Sequence, residues 1–212
     1  MNHFWILPIM RLPEKLGSFP TLLVLLALAG ADSFRCSSVT TSPTANDVQH
    51  VSHADPLEGR AGDVVALVFT STDCPVANAM APQLGRSLKT LDDHGIRCYL
   101  VYPRSDVTRA MMAGHAEDYG LDARLVADRD RLLAGALGAD VTPQGYVLEF
   151  VDDDEWRVRY RGRVNDLYAS IGNRRDLATR HDWRDSALSV NEGVAIPVEG
   201  PPAVGCLIEI EP

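Results

Sequence analysis

Residues 64–84 read VVALVFTSTDCPVANAMAPQL, and the change of pattern inside this stretch decides the fold. Residues 63–71 form a β-branched apolar run, which is typical of a strand buried on both faces of a sheet. From Pro75 the apolar residues recur at three- and four-residue steps, which predicts a helix that closes at His94-Gly95. Cys74 lies between the two elements, where the N–H groups and dipole of a helix N-terminus favour a thiolate.

Strands and helices continue to alternate after this first pair. The pattern predicts strands at 96–103 and 123–128, a helix at 105–120 that is capped by Ser105, and a short helix at 129–138. Because each strand is followed by a helix, we expect parallel strand pairing with right-handed crossovers.

The pattern changes in the last third of the chain. Residues 146–151 and 155–162 are strand-like and flank three aspartates at 152–154, which predicts an antiparallel hairpin. A last helix is predicted at 181–191. Together these elements predict an α/β fold with a central mixed β-sheet flanked by helices.

The first 60 residues do not resemble the rest of the domain. The apolar run at 21–30 and the small residues after it predict a signal peptide at 1–31, cleaved near Ala29 or Ala31. That run is shorter than the roughly 20 residues that span a bilayer. We therefore expect export to a periplasmic or extracellular location, no membrane span after cleavage, and a flexible leader at 32–60.

The net charge and the spacing of the cysteines argue against nucleic-acid binding and against a zinc site. The formal net charge is −9, which argues against nucleic acid as a partner. The chain has no Cys-x-x-Cys pair and no zinc-type cluster, and we expect neither a cofactor nor a metal. An oxidising compartment also allows the cysteines to form two purely structural bridges. The four cysteines are Cys36, Cys74, Cys98 and Cys206.

The quoted stretch resembles the first strand, active-site turn and first long helix of the thioredoxin-like superfamily. Residues 125–150, LVADRDRLLAGALGADVTPQGYVLEF, are similar to the part of that family that ends in a cis-proline facing the active cysteine. The chain is similar to exported redoxins of the AhpC/TSA or TlpA type. The resemblance implies a thioredoxin-like fold over a domain at 61–193, followed by a C-terminal tail at 194–212 that carries Cys206.

This resemblance implies roles for individual residues. Cys74 takes the place of the nucleophile, and Ala77 stands where the second cysteine of the family's Cys-x-x-Cys turn would be. Thr142-Pro143 takes the place of the cis-proline dipeptide, whose backbone can pair with an incoming extended chain. Pro75 suits the first helical position, where a missing N–H costs nothing. We expect Cys74 to be catalytic, and Thr142, Pro143 and Pro75 to contribute to the substrate site.

Several residues depart from the family pattern. Val68 stands where thioredoxins bury an acid, which weakens the case for a fast dithiol reductase. Ser71 matches the Thr or Ser of peroxiredoxins, whereas Leu67 and Pro143 stand where that pattern has a proline and an arginine. We expect Ser71 and the turn amides to stabilise the thiolate, and Asp73 to raise the thiol pKa.

The residue that resolves an oxidised Cys74 is open between three cysteines. Cys98 lies inside an apolar strand and is expected to be a packing residue. Cys206 follows a glycine in a tail that could fold back across the active-site edge, whereas Cys36 lies in the leader. We prefer Cys206, and a disulfide would require the two Cα atoms to lie within about 7 Å.

The histidines do not predict a metal site. His94, His115 and His181 are interpreted as residues of helix ends and of the surface. A metal role of Cys74 together with His181 would lack the second turn cysteine that exported copper proteins of this fold use.

Three functions remain open at this stage. The first is a thiol-disulfide oxidoreductase in which Cys74 attacks and Cys206 resolves, acting on protein or small-molecule thiols and disulfides and served by an exported redox partner. The second is a peroxiredoxin-like thiol peroxidase. The third is a non-catalytic binding module in which a Cys74–Cys206 bridge is structural.

Overall fold

The structure is a computed structural model of the 212-residue chain, and it describes residues 48–50, 57–153 and 155–208. All of these residues belong to one compact unit, Thr44–Pro212. The predicted signal peptide, Cys36 and most of the predicted leader lie outside the described residues.

The described ranges contain four helices and ten strands. The helices are α1 (Pro75–Asp93), α2 (Arg109–Tyr119), α3 (Leu132–Leu137) and α4 (Asp182–Asn191). The strands are β1 (Val48–His50), β2 (Val64–Phe69), β3 (Arg97–Tyr102), β4 (Arg124–Ala127), β5 (Val141–Thr142), β6 (Gln144–Asp152), β7 (Glu155–Gly162), β8 (Tyr168–Ser170), β9 (Asn173–Arg174) and β10 (Cys206–Leu207).

Six strands form the central sheet in the order β1-β7-β6-β2-β3-β4. The strands β2, β3 and β4 run parallel, whereas β6 pairs antiparallel with β2 and with β7. The mixed α/β architecture and the hairpin at 146–162 are therefore confirmed, and the arrangement is thioredoxin-like. The sequence pattern did not predict β1, which pairs antiparallel with β7 from within the predicted leader.

The strand β2 is buried along its whole length because helices cover both faces of the sheet. Its alternate side chains enter two different cores, as the period of two in a strand requires. Val64, Ala66 and Val68 pack with α1 and α4, whereas the residues between them pack with α3. This double burial explains why β2 reads as a continuous apolar run.

The helix α2 begins later than the sequence predicts. Thr108 caps it by accepting a hydrogen bond from the Met111 amide at 3.2 Å, so Ser105 is not the cap. Arg104 and Asp106 form an ion pair in the turn before the helix, and Val107 is buried there. The predicted start at Ser105 was therefore wrong, because the turn before Thr108 buries Val107 and the helix begins only after it.

Trp183 on α4 closes the core over β6. Its side chain is fully buried, and its indole N–H donates to the Tyr146 carbonyl at 2.9 Å. A Cβ added at Gly145 would meet the Trp183 ring at 2.7 Å, so the glycine allows this close packing. The contact holds α4 against the strand that follows the cis-proline.

Replacing Trp183 by alanine should strongly destabilise the fold. We expect a loss of about 3–5 kcal/mol in the free energy of unfolding, because a large buried ring leaves a cavity. Urea unfolding followed by circular dichroism measures this change. Leu177→Ala is the matched control, since the Leu177 side chain is 69% exposed, and should change stability by no more than about 0.5 kcal/mol. Equal effects of the two substitutions would contradict this assignment of the core.

Candidate active site at Cys74 and Cys206

The turn between β2 and α1 places Cys74 as the N-cap of the helix. Its sulfur accepts a hydrogen bond from the Ala77 amide at 3.5 Å, and its carbonyl accepts one from the Asn78 amide at 3.0 Å. Pro75 occupies the first helical position and is exposed. The Cys74 side chain is only 1% exposed. The expected site at a helix N-terminus is therefore present, but its sulfur is covered.

The cis-proline turn faces Cys74. The Thr142–Pro143 peptide bond is cis, as predicted, and both residues are buried. The Cys74 thiol donates a hydrogen bond to the Thr142 carbonyl at 3.0 Å. The end of β5 thus lies against the sulfur, although the two elements are 68 residues apart in sequence.

The C-terminal tail supplies the second cysteine. The strand β10 pairs antiparallel with β5, with Cys206 opposite Thr142 and Leu207 opposite Val141. This pairing places the Cys206 sulfur 2.7 Å from the Cys74 sulfur. Both cysteines are reduced in the structure, and a disulfide bond would have a length of about 2.05 Å.

The two thiols differ in acidity. Burial works to raise the pKa of Cys74, but hydrogen bonds from Cys206 and from the Ala77 amide outweigh it and hold that pKa below its usual value. Burial raises the pKa of Cys206 to about 11, and the neighbouring Cys74 acts in the same direction. Cys74 is therefore the more acidic thiol of the pair.

A cavity of about 550 Å³ opens beside the two sulfurs. Asp73 and Arg104 lie on its wall and form an ion pair, and Arg104 also binds Asp106. The Ser71 hydroxyl donates to the Asp73 carboxylate at 2.5 Å. The structure thus places Ser71 beside Asp73, whereas we expected its hydroxyl to stabilise the thiolate.

Arg104 changes the expected effect of Asp73. The Ser71 hydroxyl and the Arg104 guanidinium hold the pKa of the Asp73 carboxyl below its usual value, so this group is ionised. A lone carboxylate next to Cys74 would oppose the thiolate. Because Arg104 lies against that carboxylate, its positive charge offsets the effect, and the sequence pattern did not indicate this partner.

Behind the turn lies a buried chain of hydrogen bonds that the sequence did not predict. His115 on α2 is 6% exposed, so its interpretation as a surface residue was wrong. Its Nδ1 lies 2.9 Å from the Tyr102 hydroxyl and its Nε2 lies 2.9 Å from the Asn78 Oδ1. The Asn78 amide in turn donates to the Thr72 carbonyl at 3.1 Å. This orientation of Asn78 requires Nε2 to donate, and in a neutral ring Nδ1 then accepts from the Tyr102 hydroxyl.

The remaining candidate ligands do not form a cluster. Cys98 is buried in the core on β3, as expected for a packing residue, and burial raises its pKa to about 12. His181 precedes α4, and its pKa is lowered mainly by burial. Within the part of the chain that the structure describes, no group of three or more His, Cys, Asp or Glu side chains could hold a metal ion.

None of the helices in the described ranges has the length and apolar character of a membrane span.

A protein-family model matches the chain. The model of the AhpC/TSA family matches residues 29–161, which include the turn that carries Cys74 and the cis-proline. No curated protein matches the chain.

Two solved structures share the fold. An uncharacterized conserved protein from Geobacillus kaustophilus has 21% sequence identity and a TM-score of 0.61, over 72% of this chain and 80% of that one. A hypothetical protein from Sinorhizobium meliloti 1021 has 19% identity and a TM-score of 0.58, over 76% of this chain and 97% of that one. At such identities the likeness shows the fold alone.

A third structure is a more distant match. It is a secreted Mycobacterium tuberculosis disulfide oxidoreductase homologous to E. coli DsbE, with 15% identity and a TM-score of 0.42. The match covers 61% of this chain and 83% of that one.

Removing Arg104 should raise the pKa of Cys74. In Arg104→Ala the Asp73 carboxylate loses its cation, and an unpaired negative charge beside a thiol disfavours the thiolate. Titration of the thiolate ultraviolet absorbance in a Cys36→Ala background measures the shift, since the higher pKa values of Cys206 and Cys98 separate them from Cys74. Arg104→Lys should retain most of the wild-type pKa. An unchanged titration in Arg104→Ala would contradict the pairing.

His115 should make stability depend on pH. Burial lowers the pKa of His115 in the folded state below the ordinary value of 6.5. Below pH 6.5 the unfolded chain therefore binds more protons than the folded chain, and the free energy of unfolding decreases as the pH decreases. The loss begins near pH 6.5 and ends below the folded-state pKa. Urea unfolding at pH 7.5 and pH 5.5 should show a larger loss for wild type than for His115→Gln. His94→Gln, at an exposed histidine, should keep the wild-type loss, and an equal loss in His115→Gln would refute the assignment.

Proposed function

This chain belongs to the AhpC/TSA family of redoxins, and on that basis we propose that it is a thiol-disulfide oxidoreductase whose redox pair is Cys74 and Cys206. The observation that carries the proposal is the 2.7 Å separation of the two sulfurs beside the Thr142–Pro143 turn. A remote tail cysteine thereby takes the place of the thiol that Ala77 cannot supply.

The reaction interconverts the dithiol and disulfide forms of the pair. In the reducing direction, one S–S bond forms between Cys74 and Cys206 while the S–S bond of a substrate RSSR breaks. Two electrons pass to the substrate, and the two protons of the dithiol leave with two RSH molecules. Only the thiolate is a competent nucleophile or an easy leaving group, so the lowered pKa of Cys74 favours exchange in either direction.

The cavity wall favours disulfide exchange over peroxide reduction. A thiol peroxidase needs hydrogen-bond donors aimed at the oxygen that leaves as the sulfenate forms. The Thr142 carbonyl, which faces the Cys74 sulfur, can only accept a hydrogen bond. Two donors on the wall, the Ser71 hydroxyl and the Arg104 guanidinium, are bound to acidic side chains. These contacts support the oxidoreductase over the peroxidase.

Substrates and location follow from the same proposal. The partners are thiols and disulfides, of proteins or of small molecules, and an exported redox protein would restore the reduced form. Export rests on the apolar run at 21–30 and on the small residues around Ala29 and Ala31. N-terminal sequencing of the protein recovered from a bacterial periplasm tests the cleavage position.

Single cysteine substitutions test the redox pair. We expect Cys74→Ser and Cys206→Ser each to lower the rate of glutathione disulfide reduction by at least about a hundredfold, because neither variant can close the internal disulfide. Cys98→Ala is the matched control and should keep the wild-type rate, since Cys98 is buried in the core. Mass spectrometry of the oxidised wild type should identify a Cys74–Cys206 bond.

Three outcomes would contradict the proposal. Full activity in Cys206→Ser would exclude Cys206 as the partner. Consumption of hydrogen peroxide without disulfide exchange would make the protein a thiol peroxidase. An inactive wild type whose Cys74–Cys206 bond has a potential below about −300 mV would instead indicate a structural bridge.

A further inference from the structure

The tail of the chain occupies the edge on which a substrate backbone would lie. The strand β10 pairs with β5 immediately before the cis-proline, and the Ile208 amide donates to the Asp140 carbonyl at 2.8 Å. Cys206 therefore lies opposite Thr142, at the position that an incoming extended chain would need. An added peptide strand requires a free edge of this kind.

Gly205 fits the tail closely onto this edge. A Cβ added at Gly205 would meet the Thr142 carbonyl oxygen at 1.9 Å and the Pro143 nitrogen at 3.0 Å. Any other residue at position 205 would have to move the tail away from the cis-proline turn. Three residues after it, the Ile208 side chain is buried in the core that packs with α3. We call residues 205–208 the tail strap.

The tail strap makes the two sulfurs unequal in access. Both cysteines line the 550 Å³ cavity, but the Cys74 side chain is only 1% exposed, whereas Cys206 is partly exposed. The Leu207 side chain is 79% exposed, and Leu207 also lines the cavity. An external molecule that enters the cavity therefore meets a covered nucleophile and an accessible partner.

Given the redox pair proposed above, we propose that its substrates are low-molecular-weight thiols and disulfides, which exchange at Cys206 while the tail strap excludes extended polypeptides from Cys74. The sequence suggested the opposite order, in which an external substrate meets Cys74 and Cys206 then resolves. The difference comes from the tail strap, which covers one sulfur and presents the other.

The chemical steps balance in this order. A small thiolate RS⁻ attacks the Cys206 sulfur of the oxidised pair, the Cys74–Cys206 bond breaks, and Cys74 leaves as a thiolate. A second RS⁻ attacks the R sulfur of the mixed disulfide and releases RSSR, and Cys206 leaves as a thiolate that takes up a proton. The reverse sequence reduces RSSR. Cys206 loses its proton, attacks one sulfur of RSSR and releases RS⁻, and the Cys74 thiolate then attacks the Cys206 sulfur of the mixed disulfide and releases the second RS⁻. Thiols of low pKa leave faster in such exchanges, which favours expulsion of Cys74 in the first step.

Labelling with iodoacetamide tests whether the tail strap covers Cys74. In a background with Cys36 and Cys98 changed to alanine, Cys206→Ser leaves Cys74 as the only thiol. We expect the addition of Gly205→Ala to accelerate its labelling at least about tenfold, because access limits the reaction of a buried thiolate. The rates are compared on their high-pH plateaus, so that a change in the Cys74 pKa does not contribute.

Gly114→Ala is the matched control for this experiment. Gly114 lies within α2, and an added Cβ there meets nothing within 4 Å, so Cys74 should remain slow to label. Ile208→Ala provides a second variant that loosens the strap from its buried end and should also accelerate labelling. If neither Gly205→Ala nor Ile208→Ala accelerates labelling, the covering role is wrong.

A second experiment compares substrates of different size. The reduced wild-type protein should reduce glutathione disulfide at least about tenfold faster than the interchain disulfides of insulin, since only the small disulfide can reach Cys206 in the cavity. Equal rates, or faster reduction of insulin, would overturn the substrate class. Reduction of neither would overturn the proposed function and the substrate class together, while the labelling rates would still decide whether the strap covers Cys74.

A third experiment measures which of the two cysteines reacts first with an external disulfide. In the same alanine background, Cys74→Ser retains Cys206 alone and should form a mixed disulfide with glutathione disulfide faster than Cys206→Ser does at Cys74. Mass spectrometry of samples quenched with acid measures the two adducts over time. Faster adduct formation at Cys74 would assign the external exchange to Cys74 and refute the proposed order.

Discussion

The pairing of β10 with β5 is the interaction on which the candidate site depends. The turn after β2 and the cis-proline turn are built by the domain itself, but they hold only one cysteine. Because Cys206 pairs with Thr142, and Thr142 contacts the Cys74 sulfur, a short two-stranded pairing brings the two thiols together. The buried Ile208 side chain and the lack of a side chain at Gly205 keep this short strand in place.

The surroundings of the site make Cys74 more acidic than Cys206. The N-cap position and the neighbouring thiol lower the pKa of Cys74, whereas burial raises the pKa of Cys206. Asp73 would oppose this arrangement if it stood alone, but Arg104 pairs with it on the cavity wall. The carboxylate of Asp73 therefore lies beside Cys74 without being an unpaired charge. Its cation, Arg104, comes from the loop after β3 rather than from the turn that carries Cys74.

The polar chain behind the turn gives the site a rigid support. His115 links Tyr102 at the end of β3 to Asn78 on α1, and Asn78 reaches back to the carbonyl of Thr72. Buried polar groups of this kind are costly unless each has a partner, and a fully satisfied chain holds its members in one arrangement. The turn that carries Cys74 is thus held from behind by α2, although no side chain of α2 lines the cavity.

Much of the fold could be predicted from the sequence because it depends on local patterns. The continuous apolar run at 63–71 predicted a strand buried on both faces, and the three- and four-residue spacing after Pro75 predicted α1. The predictions were wrong where contacts outside the local pattern set the start of a helix or allowed a strand to form. The helix α2 starts at Arg109 because Val107 is buried and Arg104 pairs with Asp106 in the preceding turn. Likewise, β1 forms only because β7 offers it an edge.

The sequence by itself determined the helix N-terminus at Cys74 and the lack of a Cys-x-x-Cys pair there. These are local features, since the order of residues along the chain sets both of them. The Thr142–Pro143 turn could be placed from family resemblance alone. Only the tertiary structure decided that Cys206 lies against Cys74, that Arg104 offsets Asp73 and that His115 is buried. Each of these contacts joins residues that are far apart in sequence, and the packing of helices and strands on the sheet, rather than any local pattern, brings them together.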